Sequence, residues 1–200
     1  MPGVKLTSVC VFCGSRPGDD PAFLTAASEL GAEIATRGLT LVYGGARVGL
    51  MGAVANAALA VGGKVIGAIP KTLVAKEIVH DALPELYLTE TMHERKNRMM
   101  ELSDAFVCLP GGFGTYDELF ETITLAQIGI HEKPTALLNV KGYYDPLVHL
   151  LQHTIAHDFA APEHHGLVLV DDDPKRLLDK VRDWKAPPLG SKALDRRGTP

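Results

Sequence analysis

Short apolar runs rich in β-branched residues alternate with stretches of helix length along most of this chain, and that alternation limits the fold more than any other feature. Runs such as Val9-Cys10-Val11-Phe12 and Ala105-Phe106-Val107-Cys108-Leu109 are apolar at every residue. A strand tolerates this only when both of its faces are covered, as in a parallel sheet between helical layers. The pattern predicts strands over residues 6–12, 40–43, 64–69, 86–88, 105–109, 135–139 and 167–170. Helices are expected over 21–37, 50–61, 91–102, 115–129, 145–156 and 174–184. Right-handed crossovers join such elements into an α/β fold, a doubly wound, Rossmann-like parallel sheet with helices on both faces. Residues 1–185 read as one domain; from 186 to 200 the periodicity stops and Pro, Gly, Lys and Arg predominate, as in a loose tail.

Composition narrows the function. Of the 200 residues, 46% are hydrophobic, enough for a substantial core, and 22% are charged, which argues against disorder. No run of eighteen apolar residues appears, and Met1-Pro2-Gly3-Val4-Lys5 lacks the pattern of a signal peptide, so a cytoplasmic protein is expected. A net charge of −4 without a basic tract gives no electrostatic case for nucleic acid or an anionic membrane as partner. Small ligands remain. Cys10, Cys13 and Cys108 all lie in or beside apolar runs, as reduced core thiols do. Cys10 and Cys13 have a metal-like spacing, but on a strand residues three apart point to opposite faces. His149, His153 and His157 recur every four residues on a predicted helix without a glutamate or cysteine to complete a site, so no metal is expected.

In a doubly wound sheet, ligands bind where strands end at their carboxyl edge. Here four such turns are polar or glycine-rich: Cys13-Gly14-Ser15-Arg16, Gly44-Gly45-Ala46-Arg47, Pro70-Lys71-Thr72 and Pro110-Gly111-Gly112-Phe113-Gly114-Thr115. The last leads from a buried strand straight into a helix, and amides at a helix N-terminus hold phosphate well. Asp117, Glu118 and Glu121 follow at once. Carboxylates add nothing to a site that only grips a polyanion, so they suggest chemistry beside the phosphate. Thr115 with Glu118 also has capping-box spacing, which would make Glu118 a mere helix cap. Glu118, Glu121 and Thr124 could line one wall of a pocket or the polar face of a helix. On the preceding helix, Thr91 and Glu94 fit a capping box, and Arg95 and Lys96 either reach the carboxyl edge or form a solvated basic face with Arg98.

With these residues in view, the chain resembles the LOG (Lonely Guy) family, cytokinin riboside 5′-monophosphate phosphoribohydrolases long mislabelled lysine decarboxylases. The resemblance rests on Pro110-Gly111-Gly112-Phe113-Gly114-Thr115-Tyr116-Asp117-Glu118, matching PGGxGTxxE, and on Met92-His93-Glu94-Arg95-Lys96. It extends to Val9-Cys10-Val11-Phe12-Cys13-Gly14-Ser15, Tyr43-Gly44-Gly45, Val48-Gly49-Leu50-Met51-Gly52 and Ala126-Gln127-Ile128-Gly129-Ile130-His131. It implies hydrolysis of the N-glycosidic bond of a nucleoside 5′-monophosphate, with no cofactor, by a homodimer. It implies Arg95 and Glu118 as catalytic residues, and Glu77, Lys96, Gly112, Phe113, Gly114, Thr115, Tyr116, Asp117 and Thr124 as substrate-binding ones. Gly14, Ser15, Gly111 and Glu121 join the expected substrate site on the anion-binding and pocket-wall arguments above. Tyr116-Asp117 departs from the family's usual leucine and glutamate, and Ala46-Arg47 from its glycine and serine.

The chemistry suits the residues on its own terms. Ribosyl C–N cleavage passes through an oxocarbenium-like state, which a carboxylate under the sugar stabilises while it activates water. The rival function is a non-catalytic nucleotide or molybdenum-cofactor carrier, which needs the glycine turns but not Glu118 with Arg95. A nicotinamide dehydrogenase is disfavoured because Cys13-Gly14-Ser15-Arg16 lacks the three-glycine fingerprint. Lysine decarboxylation is disfavoured because no lysine stands in a recognisable Schiff-base setting.

Overall fold

The computed structural model describes residues 6–74 and 78–188. The elements are β1 (Ser8–Phe12), α1 (Pro21–Thr36), β2 (Thr40–Tyr43), α2 (Gly49–Ala60), β3 (Val65–Pro70), α3 (Lys71–Val74) and β4 (Glu85–Thr89). They continue as α4 (Met92–Glu101), β5 (Ala105–Cys108), α5 (Phe113–Gln127), β6 (Thr135–Leu138), α6 (Asp145–Ala156), β7 (Val168–Asp171) and α7 (Pro174–Asp183). Each predicted strand and helix is present, with ends that differ by two residues or fewer. The four-residue α3 and the two 3₁₀ turns, Val140–Gly142 and Pro162–Leu167, have no counterpart in the sequence reading. The tail expected over 186–200 lies, beyond residue 188, outside the described residues.

All seven strands are parallel, in the order β4-β3-β2-β1-β5-β6-β7. Alternate side chains feed two separate cores. Val9, Val11, Cys13, Ala105 and Val107 pack toward α1, α2 and α7, whereas Cys10, Phe12, Phe106 and Cys108 pack toward α4, α5 and α6. Cys10 and Cys13 therefore lie on opposite faces, all three cysteines are free, and burial raises their thiol pKa values. They serve as packing groups. No described helix is long and apolar enough to cross a membrane.

β1 is flanked by β2 on one side and β5 on the other. The chain leaves β1 toward α1 on one face and leaves β5 toward α5 on the opposite face. The two connections diverge, and a crevice opens at the carboxyl ends of these central strands. The rims are tied together: Gly14 N–H donates to the Pro110 carbonyl at 3.0 Å, and Leu50 N–H at the start of α2 donates to the Gly14 carbonyl at 3.1 Å.

Candidate active site

α5 begins at Phe113, with Gly112 as its N-cap in extended conformation and no side-chain cap. Its first-turn amides lack intrahelical acceptors and carry the positive end of the helix dipole. Gly111 has no room for a side chain, since a β-carbon there would stand 2.1 Å from Thr115 Oγ1 and 2.8 Å from Gly14 N. At Gly112 and Gly114 a β-carbon would meet nothing within 4 Å. Thr115 is buried in the third helical position, so it cannot cap the helix, and the capping-box reading of Glu118 fails. That spacing is a local rule. It does not register that the chain turns into helix three residues earlier, at Gly112.

Glu118 instead points inward and meets Arg95. Arg95 Nη1 donates to Glu118 Oε1 at 2.9 Å, and Arg95 Nε donates to the Ala68 carbonyl of β3 at 3.0 Å. Both side chains are nearly sealed, 7% and 6% exposed. Gly44, at the end of β2, makes space for the guanidinium; a β-carbon there would lie 2.1 Å from Arg95 Nη2. Burial raises the Glu118 pKa, and the opposing pull of Arg95 offsets only part of that rise. Arg95 is therefore not part of a solvated basic face. Only Arg98 is, with its guanidinium 5.2 Å from the centre of the Tyr87 ring.

One residue on from Arg95 along α4, and one residue before and three after Glu118 on α5, a second constellation faces outward. Lys96 Nζ bridges Asp117 Oδ2 and Glu121 Oε2, each at 2.9 Å, although the lysine side chain is only 9% exposed. Burial works to lower the Lys96 pKa, but the two carboxylates prevail and hold it above the ordinary value. Lys96, Tyr116, Asp117, Phe120, Glu121 and Thr124 line a cleft of about 370 Å³. Asp117, Glu121 and Thr124 fall at i, i+4 and i+7, one helical stripe. Glu118 sits one residue off that stripe, so the three-residue wall of Glu118, Glu121 and Thr124 does not exist. The structure splits it into a buried ion pair and an open cleft.

A family profile described as possible lysine decarboxylase matches residues 51–181. The cytokinin riboside 5′-monophosphate phosphoribohydrolase LOG1 of Arabidopsis thaliana is 43% identical over 180 residues, spanning 90% of this chain and 84% of its own. The chain belongs to the LOG family. LOG3 of the same plant is 42% identical over the same share of each chain. Among solved structures, the molybdenum cofactor carrier protein of Chlamydomonas reinhardtii superposes with a TM-score of 0.66 at 26% identity, covering 90% of this chain and 98% of that one.

The structure brings most residues expected from the LOG motifs to one edge of the sheet. Arg95, Lys96, Thr115, Tyr116, Asp117, Glu118, Glu121 and Thr124 meet across α4 and α5, with Gly111, Gly112 and Gly114 in the adjoining turn. Gly14 abuts Gly111 through its backbone, and Ser15 is exposed on the rim. Phe113 is 93% exposed at the mouth of the turn. Glu77 lies outside the described residues. His131, within a matching LOG motif, is remote: it precedes β6 at the opposite edge, with its ring 5.5 Å from Phe106. Two contributors escaped sequence reasoning: Ala68 supplies a carbonyl to Arg95, and Tyr143 hydrogen-bonds the Gly111 carbonyl. Tyr144, also unforeseen, braces the end of the preceding strand by hydrogen-bonding the Leu109 carbonyl. For the tyrosines, the available signal was their place just after β6, at the carboxyl edge beside β5.

Proposed function

We infer that this protein hydrolyses the N-glycosidic bond of purine and cytokinin riboside 5′-monophosphates, AMP included, releasing the free base and ribose 5-phosphate. The observation that carries this reading is the buried Arg95–Glu118 pair beside the open N-terminus of α5. An anion-holding helix end anchors the 5′-phosphate, which sets the ribose close to the carboxylate. Glu118 then stabilises positive charge developing at the anomeric carbon and activates the attacking water. Arg95 holds one carboxylate oxygen and so fixes the orientation of the other. The cleft beyond Lys96, with its exposed Asp117, receives the base. Lys96 does not suit the lysine chemistry in the family description. A Schiff-base lysine needs its amine deprotonated, whereas two carboxylates hold this one as ammonium.

The activity is tested by incubating the protein with AMP, isopentenyladenosine 5′-monophosphate and the matching nucleosides, and resolving free base by chromatography. Release from the monophosphates, reduced about 10³-fold or more in Glu118→Gln with nucleotide binding retained, is expected. Mutant turnover near wild type would remove Glu118 from the mechanism. Tight nucleotide binding without release by the wild type would favour the carrier reading, which the superposition on the molybdenum cofactor carrier supports.

We further infer a homodimer, as the LOG resemblance implies. Phe120, Ile128 and Ile130 are exposed on α5 and the turn after it, a surface that a second copy would cover. Light scattering on the purified chain tests this. A cytoplasmic location accords with three reduced cysteines.

A further inference from the structure

Tyr143 belongs to none of the expected site positions, yet its hydroxyl donates to the Gly111 carbonyl at 2.5 Å and accepts from the Tyr116 hydroxyl at 3.2 Å. Its neighbour Tyr144, fully buried, donates to the Leu109 carbonyl at 2.6 Å. Two successive tyrosines thus hold two carbonyls of one glycine-rich turn, with different consequences. A trans peptide is planar, and its N–H points opposite to its C=O. All described peptides here are trans. Drawing the Gly111 carbonyl toward Tyr143 therefore aims the Gly112 N–H away from the tyrosine and out of the packed side of the turn. Pro110 follows Leu109 and has no N–H, so Tyr144 orients no donor.

The turn needs such a tie. Gly112 and Gly114 are exposed, a β-carbon at either would meet nothing within 4 Å, and glycine is the residue with the most conformational freedom to lose. Tyr143 is itself held on three sides. Its ring meets Phe23 edge-on at 5.9 Å and Tyr144 at 5.1 Å, and its hydroxyl meets Tyr116. Tyr116 in turn lines the cleft, so one chain of hydroxyls runs from the cleft wall to the backbone of the turn.

We propose that Tyr143 is a positioning residue for the 5′-phosphate, holding the Gly112 amide in its donating orientation, with Tyr116 linking that hold to occupancy of the cleft. The proposal rests on the nucleotide-hydrolase reading. Tyr143→Phe removes one oxygen and keeps both ring contacts, so the fold survives. Calorimetric titration with ribose 5-phosphate, AMP and adenosine is run alongside steady-state kinetics on AMP. In Tyr143→Phe the Kd for ribose 5-phosphate and the KM for AMP should rise roughly tenfold, with kcat within twofold and adenosine binding unchanged. Tyr116→Phe should raise the same two constants by about twofold to threefold. Tyr144→Phe should lower Tm while leaving the Kd for ribose 5-phosphate as it was. Ribose 5-phosphate binding unchanged in Tyr143→Phe would overturn the proposal, as would equal weakening of AMP and adenosine. So would a Tyr144→Phe variant that loses phosphate affinity as Tyr143→Phe does. Wild-type protein that binds neither AMP nor ribose 5-phosphate would overturn the nucleotide reading itself, and this proposal with it.

Discussion

Replacing Gly44 by alanine tests the site at a residue outside both the ion pair and the cleft lining. Gly44 does not have a left-handed backbone, so alanine introduces no φ strain there, unlike at Gly45, where φ is +74°. The added methyl would stand 2.1 Å from Arg95 Nη2, 3.2 Å from Met51 Cε and 3.3 Å from Arg95 Cζ. The first distance is about 1.3 Å short of ordinary contact at 3.4 Å, so the guanidinium must retreat. Its bonds to Glu118 and Ala68 measure 2.9 and 3.0 Å, and a shift of that size takes at least one of them beyond hydrogen-bonding range. Losing one buried charge-assisted bond costs about 1.5–3 kcal/mol. For a chain of this size that corresponds to a Tm drop of roughly 3–12 °C. A misplacement of about 1 Å in a catalytic constellation lowers turnover about 10²-fold. Base release from AMP and thermal unfolding read the two effects. Gly114→Ala, in open space, is the stability control. Arg95→Lys made alone and with Gly44→Ala closes a double-mutant cycle, in which the methyl should do little further harm once the fork is gone. Near-normal turnover with unchanged Tm in Gly44→Ala, or losses fully additive with Arg95→Lys, would refute the claim that this glycine exists to seat Arg95.

Arg95→Ala leaves Glu118 buried without its partner and should lower stability by about 3–5 kcal/mol at pH 8, whereas replacing both with apolar residues should recover most of that loss without activity; denaturant unfolding checks both. The pH profile of base release should fall on its acid side. Burial raises the Glu118 pKa above the ordinary 4.5, so the carboxylate is lost at a higher pH than an exposed glutamate, and an acid limb centred at or below 4.5 would contradict this assignment. Asp104 Oδ2 accepts from the amides and hydroxyls of Thr7 and Ser8, pinning the start of β1 to that of β5. Burial works to raise its pKa, but these hydrogen bonds prevail and lower it. Its contribution is therefore complete above the unfolded value of 3.8 and is lost as pH falls toward the lower folded one. Asp104→Asn should cost about 1 kcal/mol near neutrality after allowance for solvent screening, and acid-unfolding curves should show that difference from wild type shrinking as pH falls below 3.8.

The fold was legible because its signal is short-ranged and repeated. β1, β2 and β5 are apolar on both faces in the core, so their sequences read as unbroken runs, and α6 shows its limits through Asp145-Pro146 at one end and the loss of periodicity at the other. α3 went unseen because four residues make barely one turn and bury nothing. The helix after β5 shows where local rules mislead. Thr115 and Glu118 have the right spacing for a cap, but Gly112 takes that role, and the glutamate answers to Arg95, 23 residues away on another helix. On α4 the cap reading held for Thr91, whose hydroxyl accepts from Glu94 N–H at 3.1 Å. Glu94, however, accepts from Glu90 N–H rather than completing the box. Tyr143 was invisible for the same reason as the ion pair. Its partner at Gly111 is 32 residues distant, and only the order of strands β5 and β6 brings the two together.

The same strand order bears on carrier versus enzyme. Glycine turns at a switch point serve any ligand with a phosphate, and superposition on a molybdenum cofactor carrier shows that the scaffold suits more than one task. The ion pair discriminates through its energetics. Two charged groups withdrawn from water recover their desolvation cost only through close geometry, and here burial still leaves the Glu118 pKa raised. Such a carboxylate beside an anion-binding turn weakens the grip on a polyanion. It becomes useful when positive charge develops on the ligand close to the phosphate, as it does at the anomeric carbon during base departure. Glu118→Gln should accordingly bind AMP at least as tightly as wild type while failing to cleave it. Looser binding together with lost cleavage would mean that the carboxylate serves the ground state, and the case for catalysis from this pair would fall.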